Sequence, residues 1–169
     1  GTPGVDYTLR FSSGNLLPTT SAVIQVRNNV AHSMLVTTQP VGGVTGELLA
    51  TPPIVEMLDR FGNVVLDHDG ANLQVSAIGP SRIGGSAPAV SSPGDGVFVN
   101  GVASFNNLRL TGLVNTDYVL QFSDGTRSVT SNAFQLSAAG AASIELLNVP
   151  AADRTGDLLT VQPTLRVLD

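Results

Sequence analysis

The sequence predicts an all-β protein in which a two-sheet sandwich is repeated in tandem. Apolar and polar residues alternate with a period of two through many short segments, as expected of half-buried strands. Eighteen Gly and ten Pro interrupt these segments, and no stretch of ten or more residues shows helical periodicity. The chain also matches itself at an offset of about 110 residues, a usual size for one sandwich.

Two alignments of the chain with itself define the repeat. Residues 33–59 align with residues 143–169 without a gap, and nine of these 27 positions are identical. Residues 6–14 align in the same way with residues 117–125. The chain therefore holds one complete repeat between two partial ones. The predicted division is 1–31 for the C-terminal part of a preceding repeat, 32–141 for the complete repeat and 142–169 for the N-terminal part of a following repeat.

The paired copies indicate which side chains face inward. Val55 and Met57 stay apolar in the second copy, whereas Glu56 between them becomes Arg166. In the second alignment Tyr118, Leu120 and Phe122 are identical to their counterparts, while the residues between them differ. Positions that stay apolar at a period of two belong to the buried face of a strand. The predicted structural core includes Val55, Met57, Phe105, Tyr118, Leu120, Phe122 and Phe134.

The first elements of the complete repeat follow from alternation and turn residues. Residues 33–39 predict a strand with Met34 and Val36 inward. Residues 40–46 are rich in turn formers and predict a crossing segment, and residues 48–49 return to the core.

A strand at 53–59 is followed by a tight connection at 59–63. The carboxylate of Asp59 is expected to accept a hydrogen bond from the backbone two residues on, and Gly62 and Asn63 tolerate positive φ. Alternation from Leu73 to Ala77 predicts the next strand.

The second half contains a long loop and then three strands. Residues 79–101 are rich in Gly, Ser and Pro, with short edge strands expected at 87–90 and 97–99. Asn100-Gly101 predicts a hairpin turn. The following strands are predicted at 102–110 with Ala103 and Phe105 inward, at 117–122, and around Phe134 and Leu136.

About seven short strands in about 110 residues predict an immunoglobulin-like sandwich. The unit also resembles the bacterial Ig-like repeats of very long secreted or surface-anchored proteins. The resemblance lies in residues 39–63, in 101–108, and in 117–120 together with 130–134. It implies a structural, non-catalytic role at the cell surface or outside the cell. It also implies a tyrosine corner at Tyr118, in which the hydroxyl bonds to nearby backbone.

Composition limits the function classes further. A net charge of −5 and a pI of about 4.7 argue against nucleic-acid binding and against a polybasic membrane patch. There is no run of 18 apolar residues, so we expect no membrane insertion. With no Cys, disulfides and thiolate chemistry are excluded, and with no Lys, Lys–Asn isopeptide bonds are excluded as well. Packing and hydrogen bonds must hold the unit together.

Candidate sites are few, and we predict that the chain is not an enzyme. His32 and His68 are interpreted as solvated loop residues. The three Glu are Glu47, Glu56 and Glu145, and their counterparts in the other copy fit surface positions better than acid–base pairs.

No cofactor is predicted, and calcium is the sharper hypothesis for a ligand. The oxygen ligands that calcium needs would come from Asp59, Asn63, Asp67 and Asp69. The alternative interpretation is that these side chains form turn hydrogen bonds and a solvated hairpin.

These observations favour a structural repeat of a long extracellular bacterial fibre or adhesin stalk. Its partners would be neighbouring repeats, and the short linkers at 27–31 and 138–142 would allow limited flexing. One alternative is a subunit that polymerises with identical chains by strand complementation, since incomplete sandwiches expose strand edges. Another is a carbohydrate- or protein-binding module that uses the loop at 79–96.

Overall fold

The computed structural model describes residues 1–80, 88–92, 94–149, 154–156 and 158–168. This described part is all-β, contains no helix and forms several sheets. Its strands, in chain order, are β1 (Asp6–Tyr7), β2 (Arg10–Phe11), β3 (Thr19–Thr20), β4 (Ile24–Gln25), β5 (Ala31–Thr38), β6 (Ile54–Asp59), β7 (Gln74–Ile78), β8 (Ala89–Ser91), β9 (Phe98–Val99), β10 (Val102–Ser104), β11 (Arg109–Thr111), β12 (Asp117–Ser123), β13 (Ser128–Thr130), β14 (Phe134–Gln135), β15 (Ser143–Asn148) and β16 (Thr164–Leu168).

Two antiparallel sheets build the unit between residues 31 and 137. The first sheet has the order β5-β6-β10-β9. In the second sheet, β12 pairs with β7 on one side and with β13 and then β14 on the other. A separate two-stranded ladder joins β8 to β11.

The segment after β5 crosses from the first sheet to the second. Val44 forms a parallel bridge with Ser137, which follows β14. The Thr45 N–H donates to the Ser137 carbonyl at 3.0 Å, and the Ser137 N–H donates to the Gly43 carbonyl at 3.0 Å. This region is the turn-rich crossing segment that the sequence predicts, and it ties the two sheets together at one edge.

Both sheets contribute side chains to one buried cluster. The burial of Met34, Val36 and Ala103 agrees with the predicted alternation, while Leu35 between the first two is exposed. Across the sheets, the Phe105 and Phe122 rings lie 4.9 Å apart between centroids. All seven predicted core residues lie in this cluster, namely Val55, Met57, Phe105, Tyr118, Leu120, Phe122 and Phe134.

The long-loop region holds a core residue that the sequence does not reveal. β8 and β9 lie within it as short strands, and Phe98 in β9 is fully buried. Residues 81–87, including the start of the strand expected at 87–90, lie outside the described residues. Phe98 therefore adds an aromatic side chain to the core from β9, the edge strand of the first sheet.

The single strand predicted at 102–110 is wrong, because β10 and β11 are separate strands with a turn between them. Asp95 fixes this turn, since its Oδ2 accepts the Asn107 N–H at 2.6 Å. The Phe105 N–H donates instead to the Pro53 carbonyl at 3.2 Å. A long-range carboxylate contact therefore bends a segment whose local pattern favours a continuous strand.

The tyrosine corner predicted at Tyr118 is also wrong. Its side chain is fully buried, and its hydroxyl has no hydrogen-bond partner. The glycines at 79 and 112 leave room for the ring, because a Cβ at either position would overlap it or its hydroxyl. The corner geometry occurs instead at the equivalent Tyr7, whose hydroxyl accepts the Thr2 N–H at 2.8 Å.

Removal of the unpartnered hydroxyl is expected to stabilise the protein. A buried polar group without a partner costs about 1–3 kcal/mol, so Tyr118→Phe should raise the free energy of unfolding by about 1 kcal/mol. The measurement is the midpoint of urea unfolding at constant slope. Tyr7→Phe, which loses a hydrogen bond, is the matched control and should not stabilise. A loss of stability in Tyr118→Phe would contradict the assignment of an unpaired hydroxyl.

The two flanking segments repeat the pairing of the central unit. In β15–β16, Ile144 pairs with Val167 and Leu146 with Leu165, followed by a bulge. The equivalent positions of β5–β6 pair in the same register, with the bulge at the same place. In β1–β4, Tyr7 pairs with Ile24, as their counterparts do in β12–β14. The apolar residues of these flanking segments are largely exposed, whereas their counterparts in the central unit are buried.

Candidate functional site at the junction before the central unit

The tight connection after β6 is organised by the carboxylate of Asp59, which is only 2% exposed. Its Oδ1 accepts the N–H groups of Phe61 at 2.8 Å and Asn63 at 2.9 Å. The Asn63 side-chain amide donates to both carboxylate oxygens, at 3.2 and 3.1 Å. Gly62 has φ of +81°, which lets the chain turn without the steric cost of a side chain. These bonds agree with the interpretation that Asp59 and Asn63 make turn hydrogen bonds.

One further donor reaches Asp59 from outside the turn. The backbone N–H of Asn29, in the linker before β5, donates to Oδ2 at 3.1 Å. No local sequence pattern predicts this contact, because the two residues are 30 positions apart. The carboxylate therefore joins its own turn to the linker that leads back to the preceding segment.

The environment of Asp59 lowers its pKa. Burial raises the pKa of this carboxyl, because the charged form loses hydration. The N–H groups of Asn63 and Asn29 and the Asn63 amide outweigh burial, and they lower the pKa from 3.8 to about 2. The Phe61 N–H acts in the same direction. Asp59 is thus a charged acceptor through the whole physiological pH range.

Acid is expected to destabilise the protein through Asp59. Its folded-state pKa lies below the unfolded value, so its contribution is fully present above about pH 4 and is lost as pH falls towards about 2. Thermal midpoints measured from pH 5 to pH 2 should fall in the wild type. Asp59→Asn should be less stable at pH 5 and should show a shallower fall. Asp117→Asn, at an exposed carboxylate, is the control and should keep the wild-type slope. An equally steep fall in Asp59→Asn would contradict the prediction.

The other calcium candidates also face N–H donors. Asp67 Oδ1 accepts the side-chain amide of Asn28 at 2.7 Å. Asp69 Oδ1 accepts the Asn100 N–H at 2.5 Å. No group of three or more His, Cys, Asp or Glu side chains arranged to hold a metal occurs in the part of the chain that the structure describes. Asp59 and Asn63 thus contact each other in the turn, whereas Asp67 meets the linker residue Asn28 and Asp69 meets Asn100.

The two histidines differ in environment. His32 is exposed, as predicted, but it lies on β5 and not in a loop. His68 lies in a loop, as predicted, but it is half-buried and not solvated, so that part of the interpretation is wrong. Its ring packs edge-on against Phe98, with centroids 4.9 Å apart, and its Nε2 is inaccessible and unpartnered. His68 therefore packs on a buried aromatic residue, Phe98, whose burial the sequence did not predict.

Glu47 and Glu145 are exposed, as predicted, whereas Glu56 is only partly exposed. Glu47 pairs with Arg109 at 3.0 Å, and Glu145 pairs with Arg166 at 2.5 Å across the β15–β16 hairpin. Glu56 is half-buried on β6, between inward-facing neighbours. Exposed pairs of this kind contribute little to stability and define no acid–base site.

The loop between β12 and β13 reaches the same junction from the second sheet. Arg127 Nη2 donates to the Ala31 carbonyl at the start of β5, at 2.9 Å. The guanidinium is held in place by Asp124, whose Oδ2 lies 2.8 Å from Nη1. Burial raises the pKa of Asp124, but hydrogen bonds from Arg127 and Thr126 and the Arg127 charge lower it overall.

An open cleft of about 590 Å³ lies beside these contacts. It is bordered by Gly1 and Val26 of the preceding segment, by residues 27–30 of the linker, and by the turn of the central unit. Phe61 of that turn is 68% exposed, and the Arg60 guanidinium lies 4.6 Å from its ring centroid. The cleft therefore lies where the preceding segment, the linker and the central unit meet.

Comparisons with known proteins provide little further information. No model of a protein family matches the chain, and no curated protein matches it. Among solved structures, the chain is similar to surface layer protein SbsC, domains 4–9, with a TM-score of 0.44 and 18% identity. The match covers 99% of this chain and 24% of the surface layer protein chain. This chain therefore spans about a quarter of the length of the protein that it matches. A likeness at this level carries no inference about activity, ligand or partner. Within the described residues, no helix is long and apolar enough to cross a membrane.

Proposed function

We propose that the chain is part of a tandem array of Ig-like modules in a long extracellular bacterial polypeptide, where it acts as a non-catalytic spacer or stalk. The observation that carries the proposal is the recurrence of one pairing scheme. β15–β16 repeats the register and the bulge of β5–β6, one repeat length further along the chain. A unit that recurs with the same pairing on both sides of a short linker is the pattern of a repeat protein.

The strand order supports an immunoglobulin-like sandwich. In the constant-type arrangement, strands A, B, E and D form one sheet and strands C, F and G the other. The first sheet has the equivalent order β5-β6-β10-β9, and the second sheet pairs β7, β12 and β13–β14. The ladder of β8 and β11 lies outside this scheme and is an addition to it.

The exposed apolar side chains of the flanking segments support the division into partial repeats. Ile144 and Val167 are 69% and 62% exposed, whereas their counterparts Met34 and Met57 are buried. Apolar side chains that are buried in one copy of a repeat are expected to be buried in the other copy as well, because exposure of apolar surface to water is unfavourable. The simplest cover is the remainder of each repeat in a longer polypeptide.

The mass of the denatured polypeptide, isolated from its natural source, tests the proposal. A mass many times 17.4 kDa is expected, because reach in a stalk scales with repeat number. A mass near 17.4 kDa would overturn the tandem-array proposal.

That second outcome would favour the other candidate, in which identical chains pair through their flanking segments. The apolar positions of β15–β16 are equivalent to core positions of β5–β6, and β1–β4 is equivalent to β12–β14. Two copies would thus bring complementary halves together.

A further inference from the structure

We propose that the linker at 27–31 is clamped onto the following unit at three points, and that this clamp fixes the angle between consecutive units. The inference deepens the structural role proposed above and rests on the division into units. Specific side chains would thus set the stiffness of each junction, which decides whether a stalk is extended or coiled.

The first point of the clamp is Asp59. Its buried carboxylate accepts the Asn29 N–H at 3.1 Å while four other bonds hold it in its own turn. Hydrogen bonds to a charged acceptor are stronger than neutral ones, and burial keeps water from competing. The acceptor is therefore pre-positioned before the linker reaches it.

The second and third points lie on either side of Asn29. Asn28 donates its side-chain amide to Asp67 at 2.7 Å, and the Ala31 carbonyl accepts from Arg127 at 2.9 Å. The three anchoring residues come from two parts of the unit. Asp59 ends β6 and Asp67 lies in the connection between β6 and β7, while Arg127 lies between β12 and β13. Because three side chains of one unit hold three nearby linker residues, the linker cannot swivel as a single-point hinge would.

The open cleft explains why the clamp decides the angle. If the preceding segment rested on the central unit through a packed apolar surface, the linker contacts would add little. Instead, an open cleft of about 590 Å³ is lined by Val26 and by residues of the turn at 59–63, and Gly4 and Val26 lie beside Leu66 at a second, smaller cleft. In this open contact the linker hydrogen bonds add a directional restraint on relative orientation.

The next junction has a different sequence. Ala138 occupies the position of Asn28 and has no side-chain donor, so the bond to Asp67 has no equivalent there. The counterpart of Asp59 is Asp169, which lies outside the described residues. We infer that junctions along the array differ in stiffness according to the residue at this position.

Spin-label distances test the clamp directly in the full chain. The labels are attached through Ser13→Cys and Ser76→Cys, at two exposed positions on opposite sides of the junction, and the sequence has no native Cys that would compete. A single narrow distance distribution is expected for the otherwise wild-type protein. Asn28→Ala and Asn29→Pro, which removes the N–H that reaches Asp59, should each broaden it.

Two matched variants control for indirect effects. Gln135→Ala removes a similar exposed amide–carboxylate bond away from the junction, at 2.8 Å to Asp117. Val30→Pro places proline in the linker but removes only a local bond to Asn29. Both should keep the narrow distribution. A wild-type distribution as broad as that of Asn28→Ala would overturn the clamp.

Amide relaxation provides a second measurement that does not depend on folding of the preceding segment. The ¹⁵N order parameters of residues 28–31 should match those of β6, about 0.85, and should fall below about 0.6 in Asn29→Pro at its remaining linker amides. Values below about 0.6 in the wild type would overturn the clamp. The mass measurement is independent of both, so failure of the clamp and failure of the tandem array are distinguishable.

Discussion

Phe122→Ala is expected to lower the free energy of unfolding by about 3–5 kcal/mol, the usual cost of removing a buried phenylalanine. The side chain is fully buried on β12, and its ring meets that of Phe105 at 4.9 Å across the two sheets. Its loss removes both apolar burial and the contact between the sheets. A domain of this size is stable by about 5–15 kcal/mol, so the variant should lose a large share of its stability.

Urea unfolding followed by circular dichroism measures this effect, and Phe105→Ala should give a loss of the same order. The control is Phe61→Ala, which removes a phenylalanine that is 68% exposed and should change stability by less than about 0.5 kcal/mol. An equal effect in Phe61→Ala and Phe122→Ala would show that the buried cluster is wrongly placed.

Much of the core was predictable because its signal is local. Met34 and Val36, or Val55 and Met57, lie two residues apart on one strand, and a period of two needs no knowledge of distant contacts. Phe98 escaped prediction because its strand is only two residues long and lies in a Gly- and Ser-rich segment. In so short a strand, no alternation exists to be detected.

Features that depend on distant residues were not predictable. The break between β10 and β11 requires Asp95, and the linker contacts join residues 30, 39 and 96 positions apart. By contrast, the turn made by Asp59 and Asn63 uses residues four apart, and its hydrogen bonds follow from the sequence. The sequence thus predicted the acceptor at the junction but not the linker that it holds.

The hydroxyl of Tyr118 shows a different limit. The same residue type at equivalent positions makes the corner bond in Tyr7 but not in Tyr118. Whether a backbone N–H lies within reach depends on the path of the preceding loop, which the tyrosine itself does not encode. The repeated tyrosine therefore predicts where the ring lies, but it does not predict whether the hydroxyl forms a hydrogen bond.

Gly42→Ala is the second change with a large expected effect. A Cβ at this position would overlap the backbone carbonyl oxygen of Gln135 and would also lie 3.3 Å from the Phe134 ring. A carbonyl within a strand cannot rotate away as a flexible side chain can, so the segment at 41–46 would have to separate from β14. We expect a loss of about 3 kcal/mol, at the upper end of the usual cost of overpacking.

The control for this change is Gly140→Ala, because a Cβ there has no neighbour within 4 Å and the backbone does not require glycine. It should leave the thermal midpoint nearly unchanged, while Gly42→Ala should lower it by about 10 °C or more. The two variants together test whether the crossing segment packs directly on the second sheet, where Val44 and Ser137 form a bridge. If both variants melted with the wild type, the crossing segment would not be packed there, and the sandwich would have to close by another route.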